Sequence, residues 1–235
     1  MVKIPFLHTR KAQSLTEANE KEIGDAVRRL IALSTHDYGY YLFLVLSILI
    51  TTAGLLLHSA PVIIGGMIIA PILTPLLACG LALLLFEMKG LVRALTILVL
   101  SCVIALLLSS SVTMMSMVTD PETVMMEYLP VVISPELYLI IAVSSGIAGA
   151  FAFVKSHLSS SMSGVAVSAS LVPPLCAIGI GVALKDAALV EQSFLVFMLN
   201  ALGIILASSL VFWVLGFRFA RELEEKIVEE TEGGA

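Results

Sequence analysis

Two pairs of prolines interrupt apolar stretches of this 235-residue chain: Pro71 with Pro75, and Pro173 with Pro174. Proline has no backbone N–H, and its ring clashes with the carbonyl four residues back. The carbonyls of Met67, Pro71, Ala169 and Ser170 are therefore predicted to lose their usual helical partners. In hydrocarbon, such oxygens are tolerated only where protein, water or a ligand satisfies them. Thr74, Ser168 and Ser170 bring hydroxyls to the same two places, and Gly65, Gly66, Gly80, Gly164, Gly179 and Gly181 let other backbone approach closely. Two readings stand side by side. Either two broken helices meet at a central polar site for a small solute or ion, or the prolines only kink two packed helices.

Other chemistry-bearing residues are few. No Asp, Glu, Lys or Arg lies deep in an apolar stretch, since Glu87, Lys89, Arg93, Glu136, Lys155 and Lys185 all fall near the ends. Proton-coupled carriers usually hold a titratable group inside the membrane, so a carboxylate relay is not expected. Asn200 is read either as a ligand or as a hydrogen-bonding partner across a helix interface. His58 and His157 are read either as residues at the two mouths of a path or as interfacial side chains reaching headgroups. Cys79, Cys102 and Cys176 have no CxxC spacing and no neighbouring His, so they are read as small buried thiols. No metal site and no cofactor is expected. The chain lacks an HExxH zinc helix, a GxSxG elbow, a Walker loop and a dinucleotide fingerprint. Enzymatic activity is not expected, with a serine-based intramembrane enzyme as the least favoured alternative.

Elements of a particular kind must position these residues. The chain is 59% hydrophobic and only 13% charged, far from the balance of a soluble domain. Spanning helices need ~20 mostly apolar residues. Six stretches qualify, at 40–57, 62–86, 91–117, 137–154, 163–184 and 193–217. The N-terminus carries no cleavable-signal pattern, and the first apolar run is expected to stay as an anchor. The segment from Ser159 to Ser163 is too polar to face lipid. With the N-terminus cytoplasmic, all but one of the 13 Lys and Arg residues fall inside; the exception is Lys185. The 118–136 loop, with four acidic residues and no Lys or Arg, falls outside. Both termini are therefore predicted to be cytoplasmic. Ser14 and Glu17 have capping-box spacing ahead of an amphipathic stripe through Ile23, Val27 and Leu30, and Phe219, Leu223 and Ile227 form a similar stripe. Small residues at Ser144, Ser145, Ala148 and Gly149 suit close packing, within the chain or in a homo-oligomer.

Shifting the sequence by 99 positions places His58 on His157, Gly65 on Gly164, Ala70 on Ala169, Pro75 on Pro174, Gly80 on Gly179 and Ser109 on Ser208. About eleven identities fall in roughly 55 ungapped positions, where chance in so apolar a chain would give about five. The repeating unit holds three spans. Three is odd, so the second copy must enter the membrane from the opposite side. The expected fold is an all-α polytopic membrane protein of six transmembrane helices, built as two inverted three-helix repeats with the second and fifth helices broken. Its parts are a cytoplasmic segment 1–37, repeat one at 38–117, the loop 118–136, repeat two at 137–217 and a cytoplasmic tail 218–235.

The stretch Val62-Ile63-Ile64-Gly65-Gly66-Met67-Ile68-Ile69-Ala70-Pro71-Ile72-Leu73-Thr74-Pro75 resembles the first signature of the DUF389 family of hydrophobic proteins. Leu158-Ser159-Ser160-Ser161, Gly164-Val165-Ala166-Val167 and Ala169-Ser170-Leu171-Val172-Pro173-Pro174-Leu175-Cys176 resemble its second. The resemblance covers roughly residues 30–217. It implies a prokaryotic cytoplasmic-membrane protein and brings no activity and no catalytic residues. Some members of the family carry a larger soluble domain, from which the short N-terminal segment here departs.

The function expected from these residues is a channel or transporter for a small solute or ion, with a path between the repeats at the proline breaks. The alternative is a non-transporting oligomeric membrane scaffold or sensor working through its cytoplasmic helices. Lipid is the expected surrounding, a homo-oligomer the expected assembly, and nucleic acid is not an expected partner.

Overall fold

The computed structural model describes residues 38–119, 135–154 and 171–217. Among these residues it is all helical, with seven helices and no strand. They are α1 (Tyr38–Leu56), α2 (Ala60–Ile69), α3 (Leu73–Leu85), α4 (Met88–Thr119), α5 (Pro135–Val154), α6 (Val172–Leu184) and α7 (Ala187–Val214). The amphipathic ends, the Ser159–Ser163 segment, His157 and residues Ser168 to Ser170 lie outside the described residues.

Four helices are long and apolar enough to cross a membrane: α1, α4, α5 and α7. The count rises to five if α2 and α3, bent by 52° across a short break, form one span. The chain is therefore a helical, membrane-embedded protein. α6 has 13 residues, about 20 Å of rise, too short to cross a ~30 Å hydrocarbon core alone. α4 has 32 residues, about 48 Å, and must tilt or project from that core. Leu42, Val99, Leu107, Leu206 and Trp213 are exposed on the outside of the bundle, where lipid removes the cost that water would impose.

Two helix starts differ from the hydropathy reading for a local reason. α7 begins at Ala187 and not near residue 193, because the Asp186 carboxylate accepts from Leu189 N at 3.0 Å and caps the first turn. α4 begins at Met88, where the Glu87 carboxylate accepts from Gly90 N in the same way.

Three helix ends share one geometry. His58, Phe86 and Lys185 adopt left-handed backbone, with φ of 50, 54 and 58. Behind each, two hydrogen bonds close the turn: Ser59 N to Gly54 O and His58 N to Leu55 O, Glu87 N to Ala82 O and Phe86 N to Leu83 O, and Asp186 N to Gly181 O and Lys185 N to Val182 O. This is the Schellman pattern, here without glycine at the left-handed position.

The interior is one apolar cluster drawn from several helices. It includes Leu44 and Ile48 of α1, Leu76 and Leu77 of α3, Leu175 of α6, and Ile204 and Phe212 of α7. In lipid such packing is held by van der Waals contact rather than by release of water. α3 packs on α4 and α7, α6 packs on α4 and α7, α5 packs on α7, and α2 packs on α1.

Candidate functional site

At the first proline pair the helix is interrupted. α2 ends at Ile69, and its cap Ala70 is extended, with φ −65 and ψ 123. Pro71 and Ile72 follow, and α3 starts at Leu73 with Pro75 in its first turn. The first turn is where proline costs a helix nothing, since its N–H would have no partner there anyway. The prolines thus begin a half-helix rather than bend a continuous one. Pro173 and Pro174 likewise lie in the first turn of α6, behind Leu171.

The carbonyls expected to be left open by proline are partly taken up in the first half. Ala70 N turns back to Met67 O at 3.3 Å, and Thr74 N to Pro71 O at 3.2 Å. These contracted turns replace the bonds proline cannot make. The carbonyl of Gly66 accepts instead from the Ser47 hydroxyl at 2.8 Å. The corresponding carbonyls of Ala169 and Ser170 lie outside the described residues.

Burial differs from residue to residue around the two proline pairs. Ile72 and Leu171 are fully buried, and Met67 and Pro75 are buried. Pro71, Thr74, Pro173 and Pro174 are half-buried. Asn200 is fully buried on α7, at the position that matches Ser101 of α4. Ser101 itself is hydrogen-bonded to the Tyr40 hydroxyl at 2.8 Å, tying α4 to α1. His58 sits in the α1–α2 turn as the left-handed residue of a helix end. A hollow of about 370 Å³ opens elsewhere, at the α6–α7 turn, between Val182, Lys185, Glu191 and Phe194.

The 99-position offset recurs in local structure. α3 and α6 have the same bounds after the shift, and α4 and α7 have the same start. Contacts across the halves are reciprocal. A Cβ on Gly80 would collide with the Ser208 hydroxyl and come within 3.0 Å of Ile205 O; one on Gly179 would collide with the Ser109 hydroxyl and come within 2.9 Å of Leu106 O. Each glycine of one half thus receives the matched serine of the other. Ser110 adds a hydroxyl bond to Gly179 O at 2.8 Å.

The structure also assembles polar residues that the proline argument overlooks. Ser47, Thr51 and Thr52 of α1 are fully buried. Thr51 lies against Gly66 of α2, and Thr52 against the Cys176 thiol of α6. Cys176 Sγ is 4.0 Å from Ile48 O. The available signal was the presence of Ser47, Thr51 and Thr52 within an otherwise apolar run.

Residues 67–206 match a family described as a domain of unknown function, DUF389. The chain belongs to the DUF389 family. It is 30% identical over 188 residues to "Uncharacterized protein MJ0678" of Methanocaldococcus jannaschii, an alignment covering 74% of this chain and 53% of that protein. The chain thus matches about half the length of this DUF389 relative. No solved structure matches.

Proposed function

We propose that this DUF389 chain is a channel or transporter for a small solute, built from six spans in two inverted three-helix repeats. The observation that carries the reading is the pair of half-helices α3 and α6. They start on matched prolines 99 positions apart, and each packs against the long helix of the opposite half. Reciprocal contacts of the Gly80–Ser208 and Gly179–Ser109 kind support a two-fold relation between the halves. A unit with an odd number of spans turns that relation into inversion. The segment 163–184, with α6 as its second part, supplies the remaining crossing.

The path runs along the half-buried face of the breaks, past Pro71, Thr74, Pro173 and Pro174, with Ser168 and Ser170 beside them in sequence. No catalytic group is part of this reading. The chain sits in the prokaryotic cytoplasmic membrane with both termini inside, as the distribution of Lys and Arg supports, and assembles as a homo-oligomer.

The test is water access. In a variant lacking Cys79, Cys102 and Cys176, cysteine is placed singly at Thr74 and Pro173, and the protein is reconstituted in lipid nanodiscs. A charged, membrane-impermeant methanethiosulfonate reagent should modify both positions. Modification at neither position, with a cysteine at Lys185 labelled normally, overturns the path and favours the scaffold reading.

A further inference from the structure

The α3–α4 and α6–α7 turns match in backbone and differ in side chains. After the 99-position shift they share the helix end before them, the helix start after them and the left-handed residue between. The α6–α7 turn holds a hollow of about 370 Å³, a volume usual for a ligand site. Ala187, Val190, Glu191 and Phe194 line it from α7, at the i, i+3, i+4, i+7 spacing of one helical face. Val182 lines it from α6 and Lys185 from the turn.

Smaller side chains accompany the hollow. At the positions matching Val182, Ala187 and Val190, the first half carries Leu83, Met88 and Leu91, each the larger residue. Charge differs as well. Phe86 and Val92 stand where the second half has Lys185 and Glu191. Asp186, also at the rim, is engaged in capping α7 through Leu189 N at 3.0 Å. Lys185 and Glu191 are both exposed, one of each sign beside a wall of apolar side chains.

α7 sets the depth of this hollow in the bilayer. Residues 193–214 hold no charged side chain and rise about 33 Å, close to the ~30 Å of a hydrocarbon core. Lys185, Asp186, Glu191 and Gln192 therefore stand at headgroup level. Phe194 stands where the acyl chains begin. Val182 and Phe194 are 54% and 53% exposed, so the apolar wall opens outward, toward lipid.

We propose that this hollow holds one phospholipid with a primary-amine headgroup, phosphatidylethanolamine. Its headgroup lies between Lys185 and Glu191, and an acyl chain lies along Val182, Val190 and Phe194. Charge complementarity selects the headgroup. The lipid phosphate accepts from the Lys185 ammonium, and the lipid ammonium donates to the Glu191 carboxylate. A purely anionic headgroup would meet Lys185 but would also face Asp186 and Glu191, a rim of net negative charge. A choline headgroup has the positive charge but no N–H to donate. The inference rests on the membrane-embedded bundle, not on the transport reading.

The test is native mass spectrometry of the purified full chain, released from detergent micelles that carry equal amounts of phosphatidylethanolamine, phosphatidylglycerol and phosphatidylcholine with the same acyl chains. Phosphatidylethanolamine should be retained most, at one molecule per chain. Lys185→Gln should weaken its retention about fivefold. Glu191→Gln should bring phosphatidylethanolamine and phosphatidylcholine to equal retention. Ala187→Met, which copies Met88 of the first half, should displace the lipid by filling the hollow. Should Ala187→Met fail to fold, Val182→Leu, which copies Leu83, takes its place. Lys89→Gln, at the matching turn, should change nothing. Equal retention of the three lipids overturns the site, and so does a preference for phosphatidylglycerol. Retention unchanged by Lys185→Gln, by Glu191→Gln or by the filling variant places the lipid elsewhere and overturns it too. A filling variant that alters the number of chains per assembly but not the lipid count assigns the hollow to an interface between copies, which also overturns the lipid.

Discussion

The two halves agree closely in one layer of the bundle and diverge in another. α3 with α4, and α6 with α7, repeat their starts, their left-handed turns and their crossings. α1 and α5 bury polar groups at different positions, α5 burying Ser145. α1 brings Ser47, Thr51 and Thr52 inside, where α5 brings Gly146, Ala150 and Phe151. Gly146 is used for contact: a Cβ there would come within 2.8 Å of the Ala207 Cβ and 2.9 Å of the Ile204 Cα. The repeated layer is the frame, and its chemistry is that of close packing. The unrepeated layer is where the two halves bury different polar groups: Ser47, Thr51 and Thr52 in one, Ser145 in the other.

The comparison breaks first at its crossings. Gly80→Ala and Gly179→Ala should each destabilise by about 1–3 kcal/mol, because backbone carbonyls as well as serine hydroxyls block the added methyl. The two losses should be similar, read by thermal unfolding in detergent. Gly65→Ala should be close to neutral, since a Cβ there meets nothing within 4 Å. Unequal losses at Gly80 and Gly179 would mean that the crossings are not equivalent.

The turns sharpen the comparison in the opposite direction. Phe86→Gly and Lys185→Gly should each stabilise by about 1 kcal/mol, because both positions hold left-handed backbone that side chains disfavour. Both residues are exposed, so little packing is lost. A decrease in Tm at either position would show that its side chain contributes more than the backbone relief.

The smallest effect concerns a bond peculiar to the first half. Tyr40→Phe removes the hydroxyl that bonds Ser101 between α1 and α4 at 2.8 Å. Hydrogen bonds between membrane helices average about 0.6 kcal/mol, and a loss of that order is expected. The matched position in the second half, Leu139, has no hydroxyl to lose.

Legibility followed the physics of each signal. Proline acts on its own neighbours, so Pro71 and Pro75 marked the first break from sequence alone, and Pro173 and Pro174 marked the start of α6. What proline could not reveal is that Met67 and Pro71 carbonyls are met by contracted turns, since those depend on the backbone after the break. The start of α7 was placed late because Glu191 and Gln192 lower local hydropathy, while the Asp186 cap extends the helix through them. Thr51 and Thr52 were missed because an average over Leu and Ile hides single hydroxyls. Ser168 and Ser170 lie outside the described residues, so the second break is known only from its α6 side.

The glycine–serine crossings carry a consequence for how this sequence can change. Gly80 sits beneath Ser208 and Gly179 beneath Ser109, so neither member of a pair is free to vary on its own. A bulkier residue at 80 calls for a smaller one at 208, more than a hundred positions away, together with a shift of the backbone at Ile205 and Ser209. The unit of inheritance at these places is the pair. Substitutions should therefore travel together across the midpoint of the chain, coupling two stretches that no local reading of the sequence would connect.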